Sequence, residues 1–408
     1  MPTADILEIR GSQAISNIEL ELAALDKQRP KRLLLPTNIS DSAIGGEAAL
    51  IQLIATWGAA TADATLVTHI KDEEDPTVQL TKLAKRPSGF SAIWMADSVS
   101  DRTGKRDIKV VANSCSEAVF KSMWHGRDEK SASLPLFDDG DPYVAPRVRG
   151  SGAQVFLACV DHDRWAIPQC YFADETLRGR DDFIALARAA ITRATQGSFD
   201  SPISPDLYPA FGAIFHELFK NTHEHARRDS DNAMLRRSIR GIIVNRRAWP
   251  RAKIESLVSE APPLKRFTTD QIARGRDNYL RCLEISVFDS GIGLARHWML
   301  QKGKDASTAQ EELEACEQCL QRWASATDKP HKGAGLHEVA TMMSKLHGFM
   351  RLRSGRLSLF RNFDTDPVDY ENTRPVKLFD WTSQTTSPTS MPPVAGALFT
   401  LLIPVASD

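Results

Sequence analysis

Residues 211–226 read F-G-A-I-F-H-E-L-F-K-N-T-H-E-H-A. Phe211, Ile214, Phe215, Leu218, Phe219 and Thr222 recur at the i, i+3, i+4, i+7 spacing of an amphipathic helix, which has to bury that stripe against another layer. Glu217 and Asn221 fall together on one edge of the stripe, one turn apart, and His225 continues that edge. His216, Lys220 and His223 fall on the opposite side, where solvent is expected. An amide oxygen from Asn221 suits a hard cation, and a carboxylate from Glu217 can orient or deprotonate a water. Taken alone, such a pair is equally the ordinary polar border of a core face.

The rest of the chain sets the frame for that helix. Its 408 residues are enough for two or three domains with a sizeable core. A hydrophobic share of 42% and a charged share of 25% suit a globular protein. Fifty-one basic and 52 acidic side chains nearly cancel, so the overall charge selects no polyanionic partner. No apolar run of membrane-spanning length occurs, and Asp5, Glu8 and Arg10 interrupt the start, which does not read as a secretory signal. Six scattered cysteines point to a reducing, cytoplasmic setting. Cys316 and Cys319 make a C-x-x-C, but with Leu313, Leu320 and Trp323 they share one helical face and read as packing residues.

The first part has the pattern of an α/β domain. Residues 31–38 suggest a short buried strand, 45–59 a helix through Ala49, Leu50, Leu53, Ile54 and Trp57, and 64–70 a second strand, the layout of a parallel βαβ unit. Residues 90–96 and 109–112 are read as further strands. Residues 129–152 are loop-like, and Gly150 and Gly152 lack the Lys-Ser/Thr of a phosphate loop. Residues 153–160 and 165–172 are expected to pair as strands, and 181–195 to form a helix. The Gly/Ser/Pro-rich stretch 196–209 is the expected linker between a domain over 1–195 and one over 210–408. The basic run 227–253 is a solvated insertion or a phosphate-facing surface, which leaves nucleic acid open as a partner.

Two later stretches carry chemistry. Residues 280–289 alternate with period two, placing Leu283, Ile285, Val287 and Asp289 on one face. A carboxylate at the core-facing end of a strand is costly to bury without a partner. It is followed by Ser290-Gly291-Ile292-Gly293, whose glycines let the backbone turn and approach a flat ligand closely. Residues 331–355 begin H-K-G-A-G-L and continue as a helix packed through Leu336, Val339, Ala340 and Met343, with Gly348 expected as its C-cap. Lys332, Gly333 and Gly335 stand at its N-terminus, where free N–H groups and the helix dipole attract anions. A strand hairpin turning at Ser354-Gly355 is expected next.

In this order, E-L-F-K-N at 217–221, D-S-G-I-G at 289–293, G-A-G-L at 333–336 and G-A-L-F-T at 396–400 resemble the GHKL ATPase superfamily of gyrases, heat-shock chaperones, histidine kinases and mismatch-repair ATPases. The resemblance covers about residues 205–404. It implies a two-layer α/β sandwich, the Bergerat fold, with a mixed sheet covered by helices. It implies ATP and Mg²⁺ as ligands. Asn221 would hold the metal on the phosphates, and Glu217 would activate the attacking water or acceptor. Asp289 would bind the adenine amine, with Gly291 and Gly293 allowing close approach. Lys332, Gly333, Gly335 and Leu336 would cradle phosphates, and Thr400 on the closing strand would complete the nucleotide contacts. Residues 295–332 would be a lid, with a capping box at Thr308 and Glu311 opening its helix. Ala397 departs from the threonine usual near the base, and residues 246–276 and 364–393 are insertions.

Three functions are compatible with this resemblance. One is an ATP-driven conformational switch with Mg²⁺-dependent hydrolysis, working through lid closure or a homodimer. Another is a kinase of the histidine-kinase or anti-sigma type, passing the γ-phosphate to a protein. The third is a non-hydrolysing interaction module. No phospho-accepting histidine on a long helix pair precedes residue 205, and Glu217 is present, so the switch is the expected function. The first domain is then the sensing or protein-partner-binding part, away from any membrane.

Overall fold

The computed structural model describes residues 5–12, 14–37, 43–71, 73–123, 154–161, 170–172, 174–195, 203–231, 233–259, 261–275, 277–305, 308–322 and 335–405. The protein is α/β and contains one parallel and one antiparallel sheet. The parallel sheet holds β1 (Ile6–Glu8), β2 (Arg32–Leu34), β3 (Thr65–Val67) and β4 (Ser98–Ser100), side by side in chain order. Its strands are joined through α1 (Ile15–Gln28), α2 (Gly46–Ala60), α3 (Pro76–Ala84) and α4 (Pro87–Met95), and α5 (Lys109–Met123) follows. Helix α2 is apolar nearly all the way round, with Leu50, Ile51, Leu53, Ile54 and Trp57 all buried. A helix of that kind needs packing on every side.

The second sheet supplies it. This sheet contains β5 (Val155–Val160), and after α6 (Arg180–Thr195), a 3₁₀ turn at Pro205–Leu207 and α7 (Tyr208–His225) it gains β6 (Ile239–Pro250). Helices α8 (Arg251–Ser259) and α9 (Pro263–Arg274) precede β7 (Tyr279–Asp289). Then come α10 (Leu294–Gln301), α11 (Ala309–Cys319), α12 (Gly335–Lys345), β8 (Phe349–Gly355), β9 (Leu357–Asn362), β10 (Phe379–Asp380) and β11 (Val394–Pro404). The order is β10-β9-β8-β11-β7-β6-β5, antiparallel throughout. One face carries α6, α7, α10 and α12. The other is covered by α2 and α4 of the first part and, at its far end, by α8 and α9.

Specific contacts lock the two parts together. Phe90 of α4 lies edge-on to Phe156 of β5, with ring centres 6.0 Å apart, and Phe156 stacks near Phe288 of β7. The Gln52 amide of α2 donates to the backbone oxygens of Arg353 and Ala395, while Thr56 Oγ1 accepts from the Ala395 N–H. Glu19 of α1 accepts from Arg351 and Arg353. Trp94 donates to the Ser238 carbonyl, and Asp97 pairs with Arg236 and Arg237.

Several expectations are corrected. Residues 90–95 are helical, in α4, with Ala96 as its extended cap, and 109–112 open α5. Short apolar runs have no period that separates strand from helix, and Pro87 starts α4 at a position where a missing N–H costs nothing. The expected pairing of 153–160 with 165–172 falls mostly on residues 162–169, which lie outside the described ones; among the described residues β5 pairs with β6. Since β5 and α6 belong with the second sheet, the change of sheet falls between α5 and β5, upstream of 196–209. The sheet expected as mixed is antiparallel. Residues 246–250 continue β6, so the insertion proper is α8 and α9. The capping box at Thr308 and Glu311 is present, and its helix ends at Cys319. Cys316 and Cys319 are buried, as packing residues should be. The left-handed residue ending α12 is His347 (φ 50°), with Gly348 donating to the Met343 oxygen.

Candidate functional site

Helix α7 buries Phe211, Ile214, Phe215, Leu218, Phe219 and Thr222 against the antiparallel sheet, as the spacing requires. The side expected to face solvent is instead covered by α6 and residues 170–172. His216 packs edge-on against Phe183 at 5.3 Å, and His223 Nδ1 meets the Tyr171 hydroxyl at 3.1 Å. His216 Nδ1 also lies 2.9 Å from Glu217 Oε1. Burial by itself would raise the Glu217 carboxyl, but the His216 hydrogen bond and the charges of Lys220, His216 and Arg180 outweigh it and hold the carboxyl below its ordinary value. Glu217 is therefore ionised at neutral pH. Its Oε2 lies against Gly335, the first residue of α12, so closely that a Cβ there would stand 2.3 Å away.

The Asn221 side chain, one turn on, makes no hydrogen bond with any described residue, and its Nδ2 is buried. Leaving a buried amide end unpaired costs about 1–3 kcal/mol, so the group is available to a ligand. It lines a pocket with Leu218, Thr222, His225, Asp289, His297, Leu336 and Phe399 that encloses about 40 Å³.

Asp289 ends β7 in that pocket. Its Oδ1 accepts from the Gly291 N–H at 2.9 Å and the Ala397 N–H at 3.3 Å, while Oδ2 has no hydrogen-bond partner among the described residues. Gly396 (φ 68°) makes the turn possible: a Cβ there would sit 1.9 Å from the Asp289 backbone oxygen, and its N–H donates to the Gly291 oxygen. Gly291 lies close to Ala226, at the end of α7, where a Cβ would stand 2.6 Å from the Ala226 Cα. These glycines let three backbone segments meet at one point.

Burial pushes the Asp289 carboxyl up to about 7, against the hydrogen bonds from Gly291 and Ala397 and the charge of Arg240. The folded value lies above the unfolded one. The stability that the protonated acid contributes is thus fully present below about pH 4 and lost as pH rises through about 7. Asp289→Asn is expected to remove this dependence. Urea unfolding of both proteins at pH 5 and pH 8 checks it: wild type should lose stability relative to the variant at the higher pH. Parallel behaviour would mean that Asp289 is already ionised when folded.

The remaining expected residues divide. Gly293 (φ 91°) and Leu336 line the pocket, Gly335 lies against Glu217 outside its lining, and Lys332 and Gly333 lie outside the described residues. Thr400 is on the opposite face of β11, 3% exposed, against Gly45 and 3.3 Å from the Ser286 hydroxyl. It does not reach the pocket. The pocket face of β11 is carried by Ala397 and Phe399. Gly396 opens one of the sequence motifs but has no role assigned to it there, and His297 of α10, whose ring lies 4.3 Å from that of His225, was not foreseen. Burial, reinforced by the His225 charge, lowers His297 to about 4, so it is neutral at physiological pH.

Among the described residues no cluster of three His, Cys, Asp or Glu side chains could hold a metal by itself. Mg²⁺ commonly takes one or two protein oxygens and completes its shell with water and substrate phosphates, a role that the unsatisfied Asn221 amide suits. The amide O and N ends interchange by a flip, so either end can meet a ligand. Searches against protein-family models, curated proteins and solved structures find no match for this chain.

Proposed function

We propose that the protein binds ATP in the GHKL manner and acts as an ATP-driven conformational switch with Mg²⁺-dependent hydrolysis. The observation that carries this reading is the convergence in one pocket of two groups on separate elements that have no hydrogen-bond partner among the described residues. One is the amide of Asn221, and the other is Oδ2 of Asp289, set in a turn of three close-packed glycines. A buried carboxylate oxygen suits an exocyclic amine, and the amide suits a phosphate-bound cation. The antiparallel sheet with α6, α7, α10 and α12 on one face is compatible with the sandwich that this family requires. Covering of the other face by the chain's own first part is a departure from it.

In this reading Mg²⁺ would neutralise phosphate charge, and Asn221 would position it. Asp289 would accept from the base, with Gly291 and Gly396 allowing close approach. Glu217, ionised and oriented by His216, would take the proton of the attacking water. Helices α10 and α11 would form the lid, carrying His297 over the pocket.

A calorimetric titration with and without Mg²⁺ tests the assignment. Asn221→Ala is expected to abolish the metal-dependent gain in affinity and to leave metal-free binding nearly intact. Asp289→Asn should weaken both by about 1.5–3 kcal/mol, the range for hydrogen bonds to charged groups. Equal losses in both variants under both conditions would make the two residues structural. γ-Labelled ATP then separates hydrolysis, with label leaving as free phosphate, from transfer to protein.

A further inference from the structure

We infer that the cleft over the carboxyl ends of β2 and β3 is a second binding site, for a small organic anion. Strands β2 and β3 end at Leu34 and Val67, and the backbone after each turns away to leave a crevice closed on its third side by α3. It encloses about 190 Å³, several times the space in the Asp289 pocket. The crevice lies outside the carboxyl ends of the strands, and since the sheet runs β1-β2-β3-β4 with no reversal of order, it is opened by the loops and not by a switch point. The floor is apolar: Leu35, Leu66 and Ile70 are buried and line it.

The rim is cationic. Lys82 stands on the last turn of α3, Arg86 on the extended residue that opens α4, and His69 on the loop after β3, all three lining the cleft. His69 donates from Nε2 to the Leu35 oxygen at 2.9 Å, which leaves Nδ1 for the cleft. Neither the Lys82 nor the Arg86 side chain has a hydrogen bond or an ion pair with any described residue. Two cations lining one cleft repel each other and favour an anionic partner. Among the described residues, the carboxylate hydrogen-bonded to the cleft lining is Glu74, and its Oε2 is occupied by the Gln79 amide and the Lys71 N–H. Two cations without an ion pair among the described residues, above an apolar floor, match a ligand with an apolar body and one phosphate or carboxylate. The site lies in the first part of the chain and does not depend on the ATP reading.

The test uses the full chain and 1-anilinonaphthalene-8-sulfonate, a probe with apolar rings and one anionic group. Saturable binding near one per chain is expected. The double variant Lys82→Gln/Arg86→Gln should weaken it roughly tenfold, the order expected for losing two charge-assisted contacts. Both side chains stand at the rim, so folding should survive, as circular dichroism will show. Displacement by phenyl phosphate at lower concentration than by benzoate assigns a phosphate ligand, and the reverse order assigns a carboxylate. Three results would each overturn the proposal. They are an unchanged affinity in the folded double variant, displacement by neither competitor, and loss of probe binding on Asp289→Asn in its place.

Discussion

Glu217→Ala is expected to leave ATP affinity nearly unchanged and to depress turnover by about 10²–10⁴-fold, the usual contribution of a positioned general base. Glu217 stands one helical turn before Asn221 and does not line the pocket that Asn221 and Asp289 share, so it should not touch the base. Its hydrogen bond to His216 Nδ1 at 2.9 Å fixes its direction, and neighbouring charge keeps it ionised. Phe211, Ile214, Phe215 and Leu218 bury α7 without its help, so the fold should hold. Single-turnover phosphate release, alongside equilibrium binding, separates the two effects. A variant that turns over at the wild-type rate would remove Glu217 from the chemistry, and one that loses affinity in parallel would make it a binding residue.

The largest expected loss of stability lies elsewhere, at Glu284. This carboxylate is 2% exposed on β7 and accepts from Arg247 Nε at 2.9 Å, from a second Arg247 nitrogen at 3.1 Å and from the Asn245 amide at 3.0 Å. Arg247 is itself 1% exposed and packs over the Trp249 ring. Glu284→Ala would leave a guanidinium buried without its counter-charge, a change that costs about 3–5 kcal/mol. Urea unfolding with linear extrapolation measures it. Replacing the pair together, by Glu284→Leu and Arg247→Met, should recover most of the loss, because an apolar pair of similar volume needs no compensation. A single variant within about 1 kcal/mol of wild type would mean that water reaches Arg247.

Much of the candidate site was legible because its parts are periodic. Helix α7 and strand β7 announced their buried faces, and the D-S-G-I-G turn announced a tight backbone. What one period could not give was lost. Thr400 was expected at the nucleotide, yet on a strand its neighbour Phe399 shares a face with Ala397 and with Val287 across the ladder, so Thr400 has to point the other way. The side of α7 bearing His216 and His223 was expected in solvent because the sequence gives no sign that α6 and Tyr171 return over it. Helix α2 was read by one stripe, although Ile51, Ala48 and Ala55 on its remaining sides already marked a helix enclosed between two layers. The pairing of β5 with β6 joins segments some eighty residues apart, a relation that local pattern does not encode.

The grip of α2 on β11 makes the two sheets one mechanical body. Gln52 and Thr56 hold the peptide of Ala395, and the next two residues hold Gly291 and Asp289. A slide of α2 along its axis would pull directly on the turn that shapes the pocket, with one residue of slack between them. The half of the chain bearing the motifs is therefore not a portable module. Excised before β5, it would present Phe156, Phe288 and Leu398 to water and leave the pocket turn without its brace. Whatever joins this protein from outside has to find another surface, since this sheet face already has its partner in the same chain.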